Sequence, residues 1–203
     1  METLLSIMIG LGLSAACGFR VFVPLLVTSI AANSGHLELA PSFQWLGSPM
    51  AIGAFGLATV LEVGAYYVPW LDHLLDTVAT PAAVVAGTMI TASMATDMSP
   101  ALRWTLAAIA GGGIAGAVQA TSVLARGFSF ATTGGLANPI VATAEMGGSI
   151  AASVLAIALP AVAAVLMVGV VGVAGCAAVR RRGRNTGAGA AAQPPSSAPL
   201  TMA

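Results

Sequence analysis

The sequence predicts an all-α fold, that of a polytopic integral membrane protein with about six transmembrane helices, the first of them broken. Three observations carry that expectation. Of the 203 residues, 58% are hydrophobic and 7% are charged, with a mean hydropathy of +0.94, whereas soluble domains carry about 25% charged residues. Apolar stretches of roughly 20 residues, long enough to cross a hydrocarbon layer of about 30 Å, recur between polar, Pro and Gly punctuation. The basic residues are unevenly placed: there is no lysine, and Arg180, Arg181, Arg182 and Arg184 crowd the end of the last apolar run.

The spans fall at residues 3–32, 50–67, 79–96, 101–124, 140–157 and 161–179. The first opens on METLLSIMIGLGLSAACG, whose apolar core imitates a signal peptide with a lipoprotein-like box ending at Cys17. Glu2 stands where a basic n-region belongs and the apolar stretch runs on past the cysteine, so the expectation is an uncleaved span. Cys17 and Cys176 lie in apolar helical stretches and are expected as packing residues rather than as a disulfide or a metal site. Pro24 lacks an N–H and frees the carbonyl of Arg20, so the helix breaks or kinks at GFRVFVP. Pro69 interrupts the chain after the second span. The fourth carries GGGIAG at 111–116 and the sixth GVVGVAG at 169–175, patterns that let helices approach closely. Residues 140–179 as one helix would measure about 60 Å, so Pro160 separates the fifth span from the sixth. Residues 1–179 form the transmembrane domain. Residues 180–203 are a basic stop followed by a small, polar, proline-bearing tail with nothing to bury, expected to be disordered in the cytoplasm.

Six spans divide into three and three, which permits an inverted repeat of the kind seen in transporters. Gly10 and Arg20 in the first half match Gly116 and Arg126 in the second, and Glu62 matches Glu145; coincidence in a Gly- and Ala-rich chain is the other account. By the positive-inside rule the run at 180–184 is cytoplasmic, and six spans then put the N-terminus there too, with the loop at 33–49 on the outer face. Outside that run, three arginines face seven acidic residues. A charged cargo is therefore expected to be a cation, and nucleic acid is excluded as a partner. The lipid bilayer is the evident partner, a homo-oligomer stays open, and no cofactor is expected.

An ionic side chain in mid-membrane costs roughly 2.5 to 3.5 kcal/mol, so each one is a candidate for function. Arg20 either lines a wet cavity at the helix break or pairs with a buried acid. Glu62 is protonated or is the partner of Arg20. In YYVPWLDHLLDTVATP, a helix from Trp70 onward places Asp72, His73 and Asp76 on one face, where they could bind a cation or relay protons. Their other account is an interfacial amphipathic helix with its acids toward water. In RGFSFATTGGLANPIVATAE, Thr132, Thr133 and the two glycines make a polar turn between Arg126 and Glu145, and Asn138 stands in the capping place before Pro139.

Three stretches, GLSAACGFRVFVPLL, VPWLDHLLDTVATP and TTGGLANPIVATAE, in that order, resemble the signatures of a bacterial family of polytopic membrane proteins known as domain of unknown function 4126. The resemblance covers residues 4 to about 178. It implies a helical bundle in a bacterial inner (cytoplasmic) membrane and points to these same residues, without implying a substrate. The leading expectation is a transporter or channel for a small solute, cation or proton. An intramembrane metal-dependent enzyme acting on lipid is the second, although no nucleophile with a base is evident. A structural or assembly protein, in which the charges merely pair, is the third.

Overall fold

The computed structural model describes residues 2–67, 69–163, 165, 166 and 169, with backbone alone at 69–74 and 76. Its elements are helical: α1 (Glu2–Phe19), α2 (Phe22–Asn33), a 3₁₀ turn (Pro41–Gly47), α3 (Pro49–Ala65), α4 (Pro69–Met94), α5 (Pro100–Leu106), α6 (Gly113–Thr133) and α7 (Asn138–Ala158). A π-helical stretch, Ala107–Gly112, joins α5 to α6 without a break, so one rod runs from 100 to 133. No strand occurs among the described residues.

The centre of the bundle is α1. Its second half, GLGLSAACG, is small all round, and Gly10 and Gly12–Gly18 are buried with Leu13 and Cys17 in the main apolar core. A helix buried on every side needs such side chains so that neighbouring backbones can come close. At Gly18 a Cβ would stand 2.6 Å from the Ala115 carbonyl oxygen of α6, a distance that leaves no room for any other residue.

Polar contacts fix the helix directions. Ser14 donates to the Gly87 carbonyl at 2.7 Å, and Thr3 reaches Asp97 just beyond α4, so α1 and α4 are antiparallel. Ser149 donates to the Ala16 carbonyl at 3.0 Å and Gly12 faces Ala156, so α1 and α7 are antiparallel too. Arg20 lies beside Ala142 near the start of α7, whereas Ile30 and Ala31 share a groove with Ile157 and Ala158 at its end. The chain therefore reverses at Arg20, and α2 returns alongside α1.

This corrects the expected first span. Residues 3–32 are a helical hairpin rather than one interrupted crossing: α1 alone is long enough to span, while α2 is a shorter apolar helix. Among the described residues, four helices are long and apolar enough to cross a membrane, or five if the bent pair formed by the 3₁₀ turn and α3 is one span. Gly10–Arg20 and Gly116–Arg126, matched above as inverted halves, lie on helices that run the same way, since Gly18 packs on Ala115 and Val118 while both arginines sit at the same end. An inverted pairing requires opposite directions.

The interhelical segment at 33–49 is packed against the bundle. Ala40 donates to the Ser93 carbonyl at 2.8 Å, and Phe43 and Leu46 are buried with Ala92 and Ala107, closing that end of the bundle. As expected, the chain breaks before Pro160: Leu159 leaves the helix, and Ala156 and Ala163 both lie against Gly12, so the chain turns back between them. The rest of the expected sixth span, the arginine run and the tail lie outside the described residues.

Candidate functional site

The site is built on the reversal at Arg20. Where α1 ends at Phe19 and α2 begins at Phe22, the first amides of α2 have no carbonyl one turn earlier to bond. Glu62, in the last turn of α3, supplies the acceptor: Oε1 accepts the Val21 amide at 2.8 Å and Oε2 the Phe22 amide at 3.1 Å. A carboxylate at a helix N-terminus is favoured by the exposed amides and by the helix dipole. Pro24, in the first turn of α2, gives up no bond there, because N–H groups in that turn have no helical partner. Glu62 is thus the cap of α2 and does not pair with Arg20, one of the two roles expected for it.

The acid that meets Arg20 is Glu145. Arg126 on α6 forks onto it, Nε donating to Oε1 at 3.2 Å and Nη2 engaging Oε2. Arg20 Nη2 stands 3.6 Å from the same Oε2 and donates to the Ala142 carbonyl at 2.9 Å. All three ionic side chains are buried. Tyr66, where α3 ends, joins them: the Arg20 and Arg126 guanidinium carbons lie 3.8 Å and 3.9 Å from the centre of its ring. The aromatic face attracts both cations, and it offers a surface on which two like charges can share one carboxylate. Arg20 is 1% exposed, yet its Nε and Nη1 have no hydrogen-bond partner among the described residues.

Beside this cluster an apolar groove of about 410 Å³ opens between α3 and α4. Val21, Phe22, Leu61, Leu75 and Val78 form its walls, and Glu62 and Tyr66 also line it. From Arg126 and Glu145 a stripe of buried polar side chains runs along the bundle, with Gln119 and Ser122 on α6 and Ser149 and Ser153 on α7.

Arg20, Glu62, Arg126 and Glu145 therefore come together as the sequence suggested. Thr132 and Thr133 do not join them. Thr132 and Thr133 donate back to the carbonyls of Phe128 and Ser129 and finish α6. Asn138 is not the N-cap of α7: Ala137 holds that position, its carbonyl accepting from Val141, while Thr133 Oγ1 accepts the Ala137 amide at 3.2 Å. The reason is Pro139, which fits the second helical position and puts Asn138 inside the helix. The backbone from Pro69 is helical, as the expectation for Asp72, His73 and Asp76 required, but their side chains lie outside the described residues. The sequence reasoning missed Tyr66. Its signal was the spacing of four from Glu62, which puts both on one face of α3.

Across residues 7–180 the chain matches the family described as Domain of unknown function (DUF4126). The chain belongs to this family. The match takes in every element of the bundle that contributes to the cluster, from Arg20 to Glu145. No curated protein and no solved structure matches the chain. Membership thus agrees with the apolar, membrane-crossing helices and brings no assigned chemistry.

Proposed function

We propose that this member of DUF4126 is a membrane transporter or channel for a small solute, cation or proton, with the Arg20, Glu62, Tyr66, Arg126 and Glu145 cluster as its central polar station. The observation that supports this most is the convergence itself. Side chains from four different elements, each costly in hydrocarbon, meet at a chain reversal that lies next to a groove and at one end of a polar stripe. A bundle needing only a lock could use one pair. The proposal includes a bacterial inner membrane with both termini and the 180–184 arginines on the cytoplasmic side, about six crossings, Asp72, His73 and Asp76 as the mouth of the path, and a homo-oligomer as an assembly the lipid-facing surface permits.

A structural or assembly role is the second reading, favoured by the fact that Glu62, Arg126 and Glu145 are engaged within the protein. Flux separates the two. Purified protein in liposomes is expected to pass protons, monovalent cations or a small solute above protein-free liposomes, and Glu145→Gln to lower that flux about tenfold or more while eluting as a folded species. Wild-type liposomes as tight as empty ones, with the protein correctly inserted, would leave the structural role standing alone.

A further inference from the structure

Arg20 holds three N–H groups, one on Nε and two on Nη1, that reach no acceptor among the described residues although the residue is 1% exposed. Buried donors of this kind are rare, and a charged one is costly to leave unmet. The stacking ring of Tyr66 does not meet them, because N–H groups point outward in the guanidinium plane while the ring lies over it. What is missing is an oxygen acceptor, and beside a cation the favoured one is an oxyanion.

The neighbouring groove says what else such a ligand carries. It is bounded by Val21, Phe22, Leu61, Leu75 and Val78, and its rims are outward-facing: Leu61 is 63% and Val78 61% exposed. Large apolar residues that exposed on a membrane bundle face hydrocarbon, so an occupant enters the groove sideways from the lipid. Tyr66 connects the two places, lining the groove while its ring lies against Arg20. Glu62 also lines the groove, but its oxygens are turned to the amides of Val21 and Phe22, whose helix end offsets its charge.

We propose that the site takes an acidic amphiphile from the lipid phase, its hydrocarbon in the groove between α3 and α4 and its oxyanion head on the free N–H groups of Arg20, reached when Tyr66 moves aside. This deepens the transport reading by naming a substrate class at the same cluster, and it replaces the cation expected from the overall charge. The head is a phosphate monoester or carboxylate, the chemistry that accepts several donors at once.

The test is binding, independent of flux. Full-length protein in neutral detergent is exposed to phosphatidic acid, phosphatidylcholine with the same acyl chains, or inorganic phosphate, and the bound species are counted by native mass spectrometry. Phosphatidic acid is expected to be retained about tenfold more than phosphatidylcholine. Ala58→Phe, which fills the groove without removing a charged side chain, is expected to erase that preference, as is Arg20→Gln if it folds. Equal retention of the two lipids, displacement of phosphatidic acid by inorganic phosphate, or an unchanged preference in Ala58→Phe would each overturn the proposal. A lost preference with flux intact removes the ligand class alone; intact binding without flux removes transport alone.

Discussion

Two reversals of the chain stand near the same end of the bundle and are closed in opposite ways. At α6–α7 the turn is local: Gly134 takes a left-handed φ of 64°, its amide donating to the Phe130 carbonyl, and Thr133 accepts the Ala137 amide a few residues on. At α1–α2 the turn contains no residue with positive φ, and the amides of Val21 and Phe22 are met by Glu62, some forty positions away in sequence. One turn is written in its own residues. The other exists only when α3 is in place, so the fold and the charge cluster form together.

That contrast orders the expected effects of substitution. The largest falls on Glu145, the shared partner of both arginines: Glu145→Ala leaves two guanidiniums buried without their acid and is expected to lower stability by about 3 to 5 kcal/mol, measured by unfolding in mixed micelles. A loss below about 1 kcal/mol would mean that Tyr66 and backbone carbonyls carry the arginines without it.

Glu62→Ala comes next. It strips two charge-assisted acceptors from the amides of α2 and is expected to cost about 2 to 3 kcal/mol, with hydrogen exchange rising at Val21 and Phe22. Glu62→Gln, which keeps one acceptor oxygen, is expected to lose about half as much. If exchange at those amides stayed as slow in Glu62→Ala, the reversal would be held by packing and the proposed difference between the two turns would vanish.

Gly134→Ala is the mildest, expected to cost about 1 kcal/mol because a Cβ is strained at that φ. Its effect should stay in the α6–α7 turn, leaving the Arg126–Glu145 pair and the exchange rates at Val21 and Phe22 as they were. A change that spread to α2 would show the two turns to be coupled rather than independent.

The same contrast explains what sequence reasoning reached. Arg20, Glu62, Arg126 and Glu145 could be named because an ionic group in an apolar run carries its own signal, whatever its partner. Tyr66 had only its spacing from Glu62 to mark it, since an aromatic in an apolar chain carries no such cost; its meaning comes from the two guanidiniums placed against it. Thr132 and Thr133 had polar character but local employment, their hydroxyls donating back to carbonyls that end α6.

By itself, then, the chain determined that it would be helical and membrane-embedded, where most helices begin and end, and which side chains would be too costly to face lipid, because hydropathy, proline and burial of charge act residue by residue. Only the tertiary structure decided that the chain doubles back at Arg20, that Glu62 serves as a cap, and that Glu145 is the acid for both arginines. Partner choice depends on distances between helices, and a one-dimensional pattern of apolar and ionic residues holds no record of which helix lies beside which.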